Sequence, residues 1–144
     1  MGNKSSQAQK ICITGNAERG PVSSSYYYSR NIADESPESI DYRKIIWTSP
    51  NLMQWGKMTI KPGEDVGQEV HEDTDQFFFV VSGQGRAVLG ADSMPVMAGT
   101  VLIVPAGTQH NIINQSTSDN LVLMTMYSPQ EHEQGLVQKD KPLE

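Results

Sequence analysis

The chain has 144 residues, 11 Lys plus Arg against 17 Asp plus Glu, a formal net charge of -6 and 37% apolar residues. This length suits one domain, and an acidic chain with no basic block excludes nucleic acid as the expected partner. No apolar run approaches the roughly 20 residues that span a bilayer, so no transmembrane segment is expected. The single cysteine, Cys12, excludes an intrachain disulfide; packing, with or without a metal, must hold the fold, and a cytoplasmic setting is expected.

The opening Met1-Gly2-Asn3-Lys4-Ser5-Ser6 fits the pattern for N-myristoylation at Gly2, with an unmodified polar start as the plainer reading. No apolar stretch of a secretory signal follows it. Residues 1–42 are rich in Ser, Asn, Glu and Asp without a sustained period, and read as a polar N-terminal arm. Its apolar groups are Ile11-Cys12-Ile13 and Tyr26-Tyr27-Tyr28. Consecutive tyrosines are costly to leave in water, so the arm is expected to dock on the domain that follows or on a partner subunit.

Short β-rich runs then succeed one another at 44–48, 52–60, 68–71, 76–82, 86–89, 94–97, 101–104, 109–113 and 121–127. Turn signals separate many of them: Pro62-Gly63, Gly83-Gln84-Gly85, Gly90-Ala91-Asp92, Ala98-Gly99 and Pro105-Ala106-Gly107. No stretch carries an amphipathic helical period. The expectation is an all-β fold, a closed barrel over 43–130, followed by a polar C-terminal tail at 131–144. On the run 76–82, alternation puts Gln76, Phe78, Val80 and Ser82 on one face and Phe77, Phe79 and Val81 on the other. Both faces are apolar. One lines the interior; the other needs a cover, which is the arm or, as expected here, the second subunit of a homodimer.

Cation-binding side chains concentrate in two places. Residues 64–75 hold six carboxylates (Glu64, Asp65, Glu69, Glu72, Asp73, Asp75) and His71, with Glu69 and His71 two apart on a short strand and therefore on one face. His110 follows the turn Pro105-Ala106-Gly107. A run of loop carboxylates is more often a solvated surface, and the spacing is not that of an EF-hand. His132, between Glu131 and Glu133, reads as a solvated tail residue. Lys57, Lys61 and Arg86 form no cluster to clamp a phosphate, Cys12 has no base beside it in sequence, and Trp47 and Trp55 read as core or rim aromatics, either able to stack on a sugar.

Here the sequence resembles the cupins. Gly99, Pro105, Gly107, His110 and Asn114 stand at every position of the second cupin motif. Gly63, Glu69, His71, Gln76 and Gly83 occupy the first, with Glu69 in place of its first histidine and Gln76 in place of its glutamate. The resemblance implies a double-stranded β-helix, the jelly-roll barrel of small single-domain cupins often labelled mannose-6-phosphate-isomerase-like. It also implies a metal held by Glu69, His71, Gln76 and His110. The exchange conserves the single negative charge of the usual set of three histidines and one glutamate. Two imidazoles and one carboxylate with a neutral oxygen suit a divalent ion (Zn, Mn, Fe or Ni) with positions left open for a small-molecule ligand.

Three functions follow from that resemblance: a metal-dependent isomerase or related enzyme acting on a small sugar or sugar acid, an iron-dependent oxygenase, or a non-catalytic ligand-binding barrel. For the first, the ion acts as a Lewis acid, the ligand is expected unphosphorylated and stacked on Trp55, and carboxylates of the 72–75 turn or a metal-bound hydroxide are candidate bases.

Overall fold

A computed structural model describes residues 22–23, 28–29, 40–49 and 52–143. The chain divides into two compact units, Met1–Ser39 and Ile40–Glu144. In the first, strands β1 (Val22–Ser23) and β2 (Tyr28–Ser29) pair antiparallel, Val22 opposite Ser29. Gly2, Cys12, Tyr26 and Tyr27 lie outside the described residues.

The second unit is all-β, because its sequence alternates inward apolar with outward polar residues over short runs that glycine turns interrupt. Its strands are β3 (Arg43–Thr48), β4 (Gln54–Ile60), β5 (Asp75–Ser82), β6 (Gln84–Leu89), β7 (Asp92–Met97), β8 (Val101–Val104), β9 (His110–Ile113), β10 (Leu121–Ser128) and β11 (Val137–Gln138). They form a six-stranded antiparallel sheet, β11-β3-β4-β10-β5-β8, and a three-stranded one, β7-β6-β9. This is the jelly-roll arrangement that the resemblance implied. No helix long and apolar enough to cross a membrane occurs among the described residues.

Two expectations change. The run 68–71 is not a strand; only isolated bridges join Asp65 to Ile113 and Glu69 to His110. The cause is local. Gly67 sits at a φ of 92°, and its N–H donates to the Asn111 Oδ1 at 3.0 Å instead of to a backbone carbonyl. The pairing of 64–66 with 112–114 thereby shifts by one residue before it resumes at Glu69 and His110. Second, the segment read as a polar tail contributes β11, which pairs with β3 through Val137 opposite Lys44 and Gln138 opposite Arg43.

The interior changes character along the strands. At one end β4, β5 and β10 bring Ile60, Met58, Val80, Phe78, Leu121 and Leu123 together, all fully buried, with Ala87, Val96, Leu102 and Ile112 closing the core. The register puts Leu121 opposite Ile60 and Leu123 opposite Met58 and Val80. Further along the same inward face, β10 continues with Thr125 and Tyr127, β4 with Gly56 and Gln54, and β5 with Gln76. Tyr127 stands opposite both Gln54 and Gln76. The apolar end stabilises the barrel; the polar end is where chemistry can reside. Phe77, Phe79 and Val81, on the outer face of β5, are half-buried.

Gly83, which closes the first motif, has a φ of 86°, and a Cβ there would lie 2.4 Å from the Asn120 carbonyl oxygen. That oxygen is backbone and cannot swing aside. Replacement of Gly83 by Ala combines a left-handed backbone with this overlap and is expected to cost about 2 kcal/mol or more, read as a lowered urea midpoint at unchanged slope; a midpoint equal to that of the wild type would contradict the account.

Candidate metal centre

Three elements supply the four candidate ligands at the polar end. Glu69 and His71 come from the irregular segment after Gly67, Gln76 from the start of β5, and His110 from the start of β9. Paired backbone bonds, Glu69 N–H to His110 C=O and the reverse, both 2.9 Å, hold the first against the third. The Gly107 N–H donates to the His71 carbonyl at 2.8 Å, and the Ala106 N–H to the Asp75 carboxylate at 2.8 Å. The turn 105–107 is therefore fixed to both ends of the turn 72–75.

Side-chain atoms then converge. Glu69, His71 and His110 each offer a ligand atom, all within 4.8 Å of one another. Glu69 Oε2 lies 3.3 Å from His71 Nε2 and 3.9 Å from His110 Nε2. Both Glu69 Oε2 and His71 Nε2 are buried without an aligned hydrogen bond. The remaining ring nitrogens are committed. His110 Nδ1 is 2.9 Å from the Thr108 carbonyl, which only accepts, so Nδ1 carries the hydrogen and Nε2 presents a lone pair. The Gln76 amide donates through Nε2 to Thr125 Oγ1 at 2.9 Å and turns its carbonyl oxygen to His110 Nε2 at 3.1 Å. Two acceptors facing each other in the interior need a cation or a proton between them. Burial holds the His110 imidazole below its ordinary pKa, which disfavours the proton. A divalent cation fits this donor set, and Gln76 adds its neutral oxygen to the Glu-His-His group.

The charges around the centre are balanced by neighbours. Burial alone would push the Glu69 carboxyl up, yet the contacts with His71, Arg43 and His110 together bring it below its usual value, so it is ionised at neutral pH. The Glu69 contact, outweighing burial, raises His71. Glu131 Oε1 lies 3.2 Å from His71 Nδ1, on the ring edge opposite Nε2. This carboxylate orients the ring, and a metal would displace a proton at Nε2.

Arg43, Tyr127, Gln54, Glu131 and His132 belong to this end and were not assigned to it from sequence. Arg43 is 3% exposed, its Nη2 3.4 Å from Glu69 Oε1. The signal was its place on the inward phase of β3 with Ile45. His132 is not a solvated tail residue. The Gln54 amide clamps its backbone, Nε2 donating to the His132 carbonyl at 2.7 Å and Oε1 accepting from its N–H at 3.1 Å. The His132 ring meets Tyr127 edge-on at 5.0 Å. The turn residues Glu72, Asp73 and Asp75 are exposed, and Asp75 braces the 105–107 turn, so none serves as a base inside. Trp55 pairs with Trp47 and Met126 on the outward phase of β4, next to inward Gln54 and Gly56. It cannot stack on a ligand in the barrel.

The cupin-domain family profile matches residues 56–127, half the chain. The chain is a cupin. This cupin is 38% identical over 118 residues to an uncharacterized protein of Acanthamoeba polyphaga mimivirus, covering 80% of this chain and 73% of that one. It is 32% identical to the uncharacterized protein YrkC of Bacillus subtilis over 77% of this chain and 62% of YrkC. The crystal structure of a Bacillus halodurans protein superposes with a TM-score of 0.73 at 33% identity, over 78% of this chain and 89% of that chain. The fold and the relatives agree on a small single-domain cupin, and its Glu69, His71 and His110 form a group able to hold a metal.

Burial, with Arg43 nearby, depresses His132 to about 4. A group depressed in the fold takes up its proton first in the unfolded chain, so its contribution to stability is present above about 6.5 and is lost as pH falls from there to about 4. Urea titrations of the wild type and His132→Phe, which keeps the ring on Tyr127, should converge or cross as pH falls across that window. Parallel curves would count against a buried neutral imidazole.

Proposed function

We propose that this cupin binds one divalent metal (Zn, Mn, Fe or Ni) through Glu69, His71 and His110, with Gln76 as a fourth, oxygen ligand. We further propose that it serves as a metal-dependent isomerase or related enzyme on a small sugar or sugar acid. The observation that carries this reading is the convergence of lone pairs from Glu69, His71, His110 and Gln76 on one buried point. When bound, the ion supplies Lewis-acid polarisation of a carbonyl or hydroxyl oxygen.

The chain's own residues prepare the site. Thr108 and Glu131 hold the two imidazoles in the orientation that frees each Nε2. Tyr127, whose phenol burial raises, stays protonated at neutral pH and acts as a donor. His132, clamped by Gln54, helps to exclude water at the polar end, where electrostatic interactions are stronger than in solvent. An unphosphorylated ligand is favoured by where the other cations are spent: Lys61 pairs with Asp140 at 3.4 Å, and Arg86 Nε donates to Ser93 Oγ at 2.6 Å.

Metal content decides the assignment. Purified protein should carry close to one divalent ion per chain by plasma mass spectrometry, and His110→Ala should lose most of it. Undiminished stoichiometry in that variant would remove His110 from the site. Iron accompanied by oxygen uptake would redirect the reading to an oxygenase, and a metal-free protein that still binds a small molecule would leave a binding barrel. Glu131→Gln should keep the fold and weaken metal affinity about 10- to 100-fold in a chelator competition; an unchanged affinity would mean that His71 needs no orienting partner.

We also propose a cytoplasmic homodimer. Outer residues of β5 and β8 support it, with Ile103 67% and Val101 50% exposed beside half-buried Phe77 and Phe79, and with β8 at the end of its sheet among the described residues. Light scattering should report twice the 15.9 kDa chain mass, and Ile103→Lys should halve the particle; a wild-type monomer at micromolar concentration would refute it.

A further inference from the structure

We propose that the ligand of this centre is a small hydroxy or oxo acid whose carboxylate is received by Arg43 and Tyr127 while it reaches the metal. This rests on the metal-binding reading above and adds the class of ligand. The first observation is an arginine kept in the barrel. Its charge lies at 3% exposure with the guanidinium carbon 5.0 Å above the Tyr42 ring. Nη1 donates to Gln138 Oε1 at 2.7 Å and Nη2 reaches Glu69 Oε1 at 3.4 Å. The third nitrogen, Nε, is buried without an aligned hydrogen bond, and the guanidinium adjoins Tyr127.

The second is Tyr127. It is fully buried, its ring stands 6.0 Å from that of His71, and its hydroxyl, beside Arg43 and Thr125, is also buried without an aligned hydrogen bond. A buried donor without a well-aligned acceptor is costly, and Arg43 and Tyr127 serve each other only in part, so two such donors on adjoining side chains beside a metal site mark a place that an acceptor fills. Arg43 flanks Glu69 and Tyr127 flanks His71, so such an acceptor adjoins two of the metal ligands.

Charge selects the acceptor. One divalent cation and the Arg43 guanidinium would face a single half-buried carboxylate, Glu69, so the loaded interior carries excess positive charge even when Glu131 at its rim is counted. A neutral sugar would leave that excess and both donors as they are. A carboxylate offsets the charge and accepts from Arg43 Nε and Tyr127 Oη. A hydroxyl or oxo oxygen on the adjacent carbon closes a chelate with the ion. A single arginine with two of its nitrogens already engaged suits one planar carboxylate better than the three oxygens of a phosphate, which call for more donors.

The test uses full-length protein loaded with Mn, its metal stoichiometry measured first, and isothermal titration with matched pairs. Galacturonate is compared with galactose, and glycolate with ethylene glycol, so that each pair differs at the carboxyl carbon. At least one acid should bind 10-fold or more tightly than its neutral partner. Tyr127→Phe and Arg43→Lys should each weaken that acid about 10-fold while metal stoichiometry and the circular dichroism spectrum stay unchanged. Tyr127→Phe carries the test alone if Arg43→Lys fails to fold. Full metal uptake with neither acid preferred, with neither acid bound, or with acid binding indifferent to Tyr127→Phe, overturns the carboxylate assignment and leaves the metal centre standing. Failure of the wild type to take up metal overturns both.

Discussion

The polar end of the barrel depends on one pair of backbone hydrogen bonds, those exchanged by Glu69 and His110. They join two segments more than forty positions apart in sequence and put their side chains on the same interior point. Side-chain attraction alone would not set this distance, because a carboxylate and two imidazoles gathered without an ion gain little and lose their hydration. Backbone pairing, supported by the apolar end of the same sheets, holds ligands together that would otherwise separate.

That division of labour explains how polar groups survive in so small a core. Along β4, β5 and β10 the inward residues are aliphatic or aromatic until the last turn of side chains, so the dry half can anchor the wet half through shared strands. In the wet half most groups are satisfied locally: Gln76 by Thr125, His110 by Thr108, the His132 backbone by Gln54. Among the atoms left over, Glu69 Oε2 and His71 Nε2 belong to the group that converges with His110 on one point. Such residual dissatisfaction is costly in the free protein and is recovered on binding, the usual signature of a site whose stability was exchanged for function.

The strands and the candidate positions Glu69, His71 and His110 were legible because alternation and motif spacing are local properties. Gln76, Phe78 and Val80 face inward as a period of two requires, and Gly99 through Asn114 announce the turn that presents His110. The run 68–71 misled because Glu69 and His71 do share a face, while the Gly67 conformation that breaks the ladder depends on the Asn111 side chain, far away in sequence. Arg43 was hidden by its type, since a charged residue at the head of a strand ordinarily points to water. His132 and Glu131 lie among charged residues in a segment whose composition resembles a free tail. Only the pairing of β11 with β3 and the clamp from Gln54 return them to the barrel, and neither leaves a mark within a window of a few residues.

The turn 105–107 is fixed at two points, by the Ala106 N–H on Asp75 and the Gly107 N–H on the His71 carbonyl, although its residues are exposed to solvent. Their amide protons should therefore exchange with deuterium far more slowly than an open surface turn allows. Because both acceptors, His71 and Asp75, lie within the first motif, the two amides are a spectroscopic gauge of that motif's order. Any molecule or mutation that loosens the ligand-bearing segment would be heard first as faster exchange at Ala106 and Gly107, before the barrel as a whole begins to open.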